Sequence, residues 1–280
     1  MYNEFAPTAD TLFLLVLSIL TLESVHSIRF LYQHFLSGIT TKSLNTFYHA
    51  CSYAKVDYSH FMNITAKVAL RMIPDSLATQ PIFLCVDDTM VAKAGTRFEN
   101  VSKLFDHAAH NGSNYLNGHC FVSIMLCTPV WKNDRVSYLS LPLGYRMWQK
   151  KAPLNQTGSD RMKYIPLLLY SLRWNIETSH YEQKTFWSFC NYMVRSCKGI
   201  EMLVNLINIS YCAMKILPYQ NEHFSEYRTK SVQEFCFELS QGIRSQIFFA
   251  TFVKNIETHI KSNAMTKALK QLIHQQVYHL

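Results

Sequence analysis

The stretch Ile165-Pro-Leu-Leu-Leu-Tyr-Ser-Leu-Arg-Trp-Asn-Ile-Glu-Thr-Ser-His-Tyr-Glu-Gln-Lys184 decides how this chain reads. Apolar and polar residues recur in it at helical spacing. After Pro166 it holds neither glycine nor proline, so it predicts one continuous helix. Arg173, Glu177 and Lys184 follow Tyr170 at offsets of three, seven and fourteen. At about 100° per residue the four fall within a sector of roughly 60°, spread over roughly 20 Å of helix axis. One narrow face therefore carries a phenol, a guanidinium, a carboxylate and an ammonium, groups suited to work on phosphates. A solvated face laced with i,i+4 ion pairs would carry the same charges.

The second informative stretch is Pro81-Ile-Phe-Leu-Cys-Val-Asp-Asp-Thr89. A run of apolar residues between a proline and an acidic pair predicts a buried strand that ends in carboxylates. The end of a central strand is where an oxygen-seeking Mg²⁺ ion would be held. Asp88 is the candidate ligand, with Asp87 pointing to the other side of the strand. A plain Asp-Asp turn closing a strand is the alternative.

The pattern Tyr170-x2-Arg173-x3-Glu177-x6-Lys184 resembles the signature of the insertion-sequence DDE transposases, bacterial enzymes with a ribonuclease-H-like core. Asp88-Thr89, Lys93-Ala-Gly95, Gly144-Tyr-Arg-Met-Trp148 and Cys197-Lys-Gly-Ile-Glu201 are similar to segments of the same family. The resemblance covers about Pro81 to Tyr219, in two blocks. It implies Asp88 and Glu177 as catalytic acids and ligands of Mg²⁺ or Mn²⁺. It further implies that Tyr170, Arg173, Lys184 and Lys93 hold the phosphates of double-stranded transposon ends. Relatives place a further strand with a second catalytic Asp between these blocks. Here only Glu99, Asp106, Asp134 and Asp160 lie between Asp88 and Glu177, and none of them ends an apolar strand. The expectation is an internally deleted transposase, with little cleavage or strand-transfer activity. A non-catalytic DNA-binding or interaction protein derived from such an enzyme is the second reading.

The expected fold class is α/β (α+β by content, helix-rich). It comprises an incomplete ribonuclease-H-like core with a short mixed sheet, an N-terminal helical region and C-terminal helices. The expected divisions are 1–78, helical, either a DNA-end module or a structural cap; 79–218, the core, truncated between about 150 and 162; and 219–280, a linker and two amphipathic helices. Within the core, His119–Trp131 and Arg135–Leu143 predict a hairpin turning at Trp-Lys-Asn-Asp-Arg. Residues 93–118 predict a long loop, and His107 and His110 find no third metal ligand at a suitable spacing. Loss of a central strand would leave an open sheet edge unless the C-terminal helices cover it.

The chain has 280 residues, 49% of them hydrophobic, and a formal net charge of +8, with a pI near 9.0. That composition allows a sizeable core and suits a polyanionic partner. The eight cysteines form no C-x-x-C pair and read as buried reduced thiols of a cytosolic protein; the resemblance implies a cytoplasmic, nucleoid-associated protein of a bacterium. Leu12–Leu22 is too short to span a bilayer, so no membrane partner is expected. A homodimer is compatible with the reading. No G-x-S-x-G, P-loop or H-E-x-x-H motif supports a different hydrolase.

Overall fold

The computed structural model describes residues 6–22, 25, 27–54, 56–95, 97–105, 114–149 and 167–260. Contacts divide the chain into two bodies, 1–236 and 237–280. The first is α+β. Its sheet has four strands: β1 (Phe83–Ala92), β2 (Ser102–Phe105), β3 (Tyr115–Lys132) and β4 (Arg135–Met147). Strand β3 is central, with β1 along one edge and β2, then β4, along the other. Every pairing is antiparallel. This corrects the expected mixed sheet: among the described residues no parallel strand joins it.

The β3–β4 hairpin forms where the sequence places it. Lys132 pairs with Arg135, and Asn133 and Asp134 both take positive φ, 50° and 56°. Two such residues make the turn whose twist matches that of the flanking strands, and Asn and Asp tolerate that conformation best after glycine. Strand β1 differs from expectation. It does not end at the acids but runs through them to Ala92 in unbroken register with β3. Thr89, Met90 and Val91 continue the strand, because β-branched and apolar residues fit a half-buried pleat. The long loop between β1 and β3 likewise contains β2. At Gly118, β3 is flanked on both edges, by Ala92 and Ser102. A methyl group there would come within 2.1 Å of the Val91 carbonyl oxygen, so only glycine allows this approach.

Helices enclose the sheet. Near the N-terminus, α1 (Ala6–Thr21) is followed by α2 (Ile28–Leu31), which passes through a π-helical turn (Tyr32–Leu36) into α3 (Ser37–Ile39). Within the expected helical region the chain is interrupted before Ser27, whose hydroxyl accepts the Phe30 amide and starts α2 anew. Next come α4 (Leu44–Tyr53) and α5 (Tyr58–Arg71), the latter capped by Asp57. The signature stretch forms α6 (Leu167–Phe186), and α7 (Cys197–Gln220) follows it. Helices α1 and α4 pack on α7, and α5 packs on β4.

Helix α7 is apolar over most of its circumference and buried along nearly its whole length. It is the one helix among the described residues long and apolar enough to cross a membrane, yet two-thirds of its apolar window is covered by the protein. A buried core helix has this same profile. It runs to Gln220, with Pro218 in its last turn.

Polar side chains along α7 do a second job. Asn205 Oδ1 accepts the Tyr145 amide at 2.9 Å, while its Nδ2 donates to the Tyr145 carbonyl at 3.0 Å. Glu201 accepts the Met147 amide, and Asn208 donates to the Pro142 carbonyl. The spacing 201, 205, 208 is one helical stripe. It supplies along the free edge of β4 the hydrogen bonds that a neighbouring strand would otherwise provide.

After α7 a 3₁₀ segment (Glu222–Arg228) occupies the region expected to be a linker, and α8 (Val232–Ile260) begins. The second body holds the remainder of α8. The second of the two expected C-terminal helices lies outside the described residues. All eight cysteines are free; Cys51, Cys120, Cys127 and Cys212 are buried.

Candidate functional site

Helix α6 lies on one face of the sheet. Ile176 packs with Met125 and Cys127, against which Phe83 and Cys85 also pack. Ser179, His180 and Gln183 continue the buried stripe at helical spacing. His180 Nε2 meets Ser123 Oγ at 2.9 Å, and that hydroxyl donates to the Asp87 carbonyl at 3.4 Å. Burial lowers the His180 pKa to about 4, with Lys184 lowering it further and Asp88 opposing, so the ring is neutral near pH 7. Ser123 is fully enclosed, so this Ser–His pair joins helix to sheet rather than offering a nucleophile.

Asp87 pairs across the ladder with Ser123, and Asp88 with Val122. Directly opposed residues share a face, and neighbours along a strand alternate. Asp87 therefore belongs to the face covered by α6, while Asp88 belongs to the other. Asp88 lines a shallow cleft of about 470 Å³ with Val86, Leu104, Cys120, Val122 and Trp148. Its Oδ2 accepts the Cys120 thiol at 3.1 Å. Burial, then the Asp88 carboxylate, pushes that thiol up to about 12. The sequence reading assigned the two acids to the opposite faces. It counted from a strand ending at Asp88, whereas the continuous ladder fixes which residue faces the helix.

Glu177 is exposed on the flank of α6, about 100° around the helix from Ile176. The ladder assigns Asp88 to the sheet face away from α6, which carries Glu177. Tyr170 and Arg173 fall in the first two turns of α6, but their side chains lie outside the described residues. Lys184 Nζ donates to the Met90 carbonyl at 2.8 Å. The end of the signature helix is thereby tied to β1 two residues beyond Asp88.

Lys93 has a structural partner set. Its ammonium donates to the Cys190 and Tyr192 carbonyls at 2.7 and 3.3 Å and sits 3.6 Å from the centre of the Tyr192 ring. Burial lowers its pKa. Its donors are thus turned inward, onto backbone carbonyls. His119 shares the cluster, with Nδ1 on the Tyr192 hydroxyl at 2.6 Å and Nε2 donating to the Glu99 carbonyl at 2.8 Å. Lys93→Met is expected to destabilise the fold by about 2 kcal/mol while leaving affinity for duplex DNA unchanged. Urea unfolding and fluorescence anisotropy would check the two halves of that statement.

Glu99 is accounted for locally: its carboxylate accepts the Cys197 amide at 2.7 Å, satisfying an orphan donor at the start of α7. Asp134 sits in the hairpin turn. Asp106, Asp160, His107 and His110 lie outside the described residues. Among the described residues no three His, Cys, Asp or Glu side chains gather as a metal site would require. These residues, as arranged, do not fit a two-metal centre, whose paired ions need several carboxylates converging from one side.

Comparison with family models, curated proteins and solved structures finds no match for this chain.

Proposed function

We propose that this chain is a DDE-type transposase by descent that associates with double-stranded DNA and does not cut it. The observation that carries the reading is the direct contact between its two informative stretches: the signature helix lies across β1 beside the acid pair, held by Lys184 on Met90 and His180 on Ser123. Three antiparallel strands in the order β1-β3-β4, with an acid-bearing first strand and a tight hairpin, are compatible with the opening of a ribonuclease-H-like sheet. In that frame Asp87, on the helix face, takes the place assigned to Asp88 from sequence. Mg²⁺ or Mn²⁺ belongs to the ancestral chemistry. With a second acid missing from the chain between the two blocks, no cleavage step is assigned to the present residues.

What remains is the signature helix. Tyr170 and Arg173 on its stripe, in a chain of net charge +8, suit the phosphate backbone of transposon ends, which positions a protein without reading sequence; Lys184 would join them on leaving the Met90 carbonyl. On this reading the protein is cytoplasmic and nucleoid-associated in a bacterium, it has no membrane partner, and a homodimer would place two such helices on one DNA.

The test is to incubate purified protein with terminal-repeat duplex, with and without Mg²⁺ or Mn²⁺. The expected outcome is binding that weakens steeply with salt and ignores the metal, with no strand cleavage. Arg173→Ala is expected to weaken binding severalfold and to flatten the salt dependence by about one released counterion. Metal-dependent nicking that Asp87→Asn abolishes would overturn the non-cutting reading. Absence of any DNA binding at low salt would overturn the DNA reading altogether.

A further inference from the structure

On the opposite flank of α6, roughly 140° around the helix from Glu177, lies a separate cavity of about 390 Å³. It forms where the turn end of β3–β4, the C-terminal half of α7 and the 3₁₀ segment meet. Four cations line it, Lys132, Lys215, Arg228 and Lys230, against one carboxylate, Glu182. They come from separate elements, so their convergence is a property of the fold and not of a run of basic sequence.

The floor is ordered. Lys215 Nζ donates to the Tyr211 hydroxyl at 3.4 Å, and that hydroxyl donates to Glu182 Oε2. Glu182 thus stands one phenol away from Lys215 and offsets part of its charge. Lys230 is flanked by Glu226 and Glu234 at 3.5 and 3.7 Å. Among the described residues Lys132, Lys215 and Arg228 form no ion pair. Burial lowers the Lys215 pKa, Glu182 opposes that shift, and repulsion from Lys132 adds a smaller lowering. Cations therefore outnumber carboxylates in the lining, and a multiply charged anion would offset that excess. Arg228 is held in place by donating to the Pro218 carbonyl at 2.8 Å and by stacking on Tyr219. Its fork is therefore pre-positioned, the arrangement that favours bidentate recognition of phosphate. The remaining walls include Tyr138, Met214 and Phe235.

We propose that this cavity binds a small organic phosphate, with Lys132, Lys215 and Arg228 on the phosphate and the aromatic walls on its organic part. Its volume is that of a small-ligand pocket, at the low end of the usual range, and a duplex could not enter it. The proposal stands independently of the DNA reading, since it uses none of the residues of the signature stripe.

Calorimetric titration of the full chain with pyrophosphate and with ADP, at fixed ionic strength, tests it. The expected result is one-to-one binding of both. Tighter binding of ADP would identify a nucleoside phosphate, and equal binding would mean that the phosphate alone is recognised. Lys132→Gln, an exposed position whose change leaves the fold intact, is expected to weaken both by about tenfold, and Arg228→Gln by at least as much. No binding of either probe at millimolar concentration would overturn the proposal. So would affinities unmoved by both substitutions, or displacement of ADP by stoichiometric duplex DNA.

Discussion

Asn205→Leu is expected to destabilise the fold by about 4 kcal/mol, measured as a drop in the urea midpoint with little change in slope. The side chain is buried and bonds both backbone groups of Tyr145. Leucine fills a similar volume but leaves an amide and a carbonyl orphaned in the interior. Each buried unsatisfied group costs about 1–3 kcal/mol. Tyr145 is itself wholly enclosed and packs on Phe189 with ring centroids 4.8 Å apart, so water cannot reach the freed groups cheaply. Asn205→Asp keeps the acceptor but sets a carboxylate oxygen against the Tyr145 and Glu201 carbonyls. It should be at least as destabilising as leucine at neutral pH, a result that a purely steric role would not produce.

Acidification should cost nearly as much. His180 is buried and neutral, with its pKa lowered from 6.5 to about 4. Its unfolded form takes up a proton near pH 6.5 and its folded form does so only near pH 4. Stability contributed by the neutral ring is therefore complete above pH 6.5 and is lost as pH falls between those values. At about 1.4 kcal/mol per unit, the loss approaches about 3 kcal/mol by pH 4. His119, lowered mainly by its own burial, acts in the same direction. Chemical denaturation at a series of pH values would show the decline, and in His180→Gln it should be shallower. An unchanged slope in that variant would mean that other groups drive the acid response.

Local patterning made a good part of this visible beforehand. The α6 helix, the β3–β4 hairpin and the existence of a strand starting near Phe83 all rest on short-range periodicity and turn chemistry, which a single sequence carries; that this strand is an edge with Leu84 and Val86 exposed, not the expected buried one, does not. The exact face of Asp88 does not, because it depends on where β1 stops, and that is set by pairing to β3 rather than by the residues of β1 alone. The roles of Lys93 and Glu99 were hidden for a related reason. Lys93 reaches the carbonyls of Cys190 and Tyr192, and Glu99 reaches the amide of Cys197, each about a hundred residues away. A basic residue beside a Gly looks the same in sequence whether it meets a phosphate or an internal carbonyl. The cavity under Lys215 had no sequence signal at all, since its cations are scattered from 132 to 230.

The α7 side chains that complete the border of β4 also impose an order on biosynthesis. Strand and helix partners there stand 54 to 66 residues apart. A ribosome extending the chain would release the hairpin long before Glu201, Asn205 and Asn208 emerge, leaving one row of its backbone groups open to any passing extended peptide. Non-local closure of this kind is slow and makes the nascent intermediate prone to association. Co-translational holding by a chaperone, or low expression temperature, should therefore raise the soluble yield more than any change made to the mature surface.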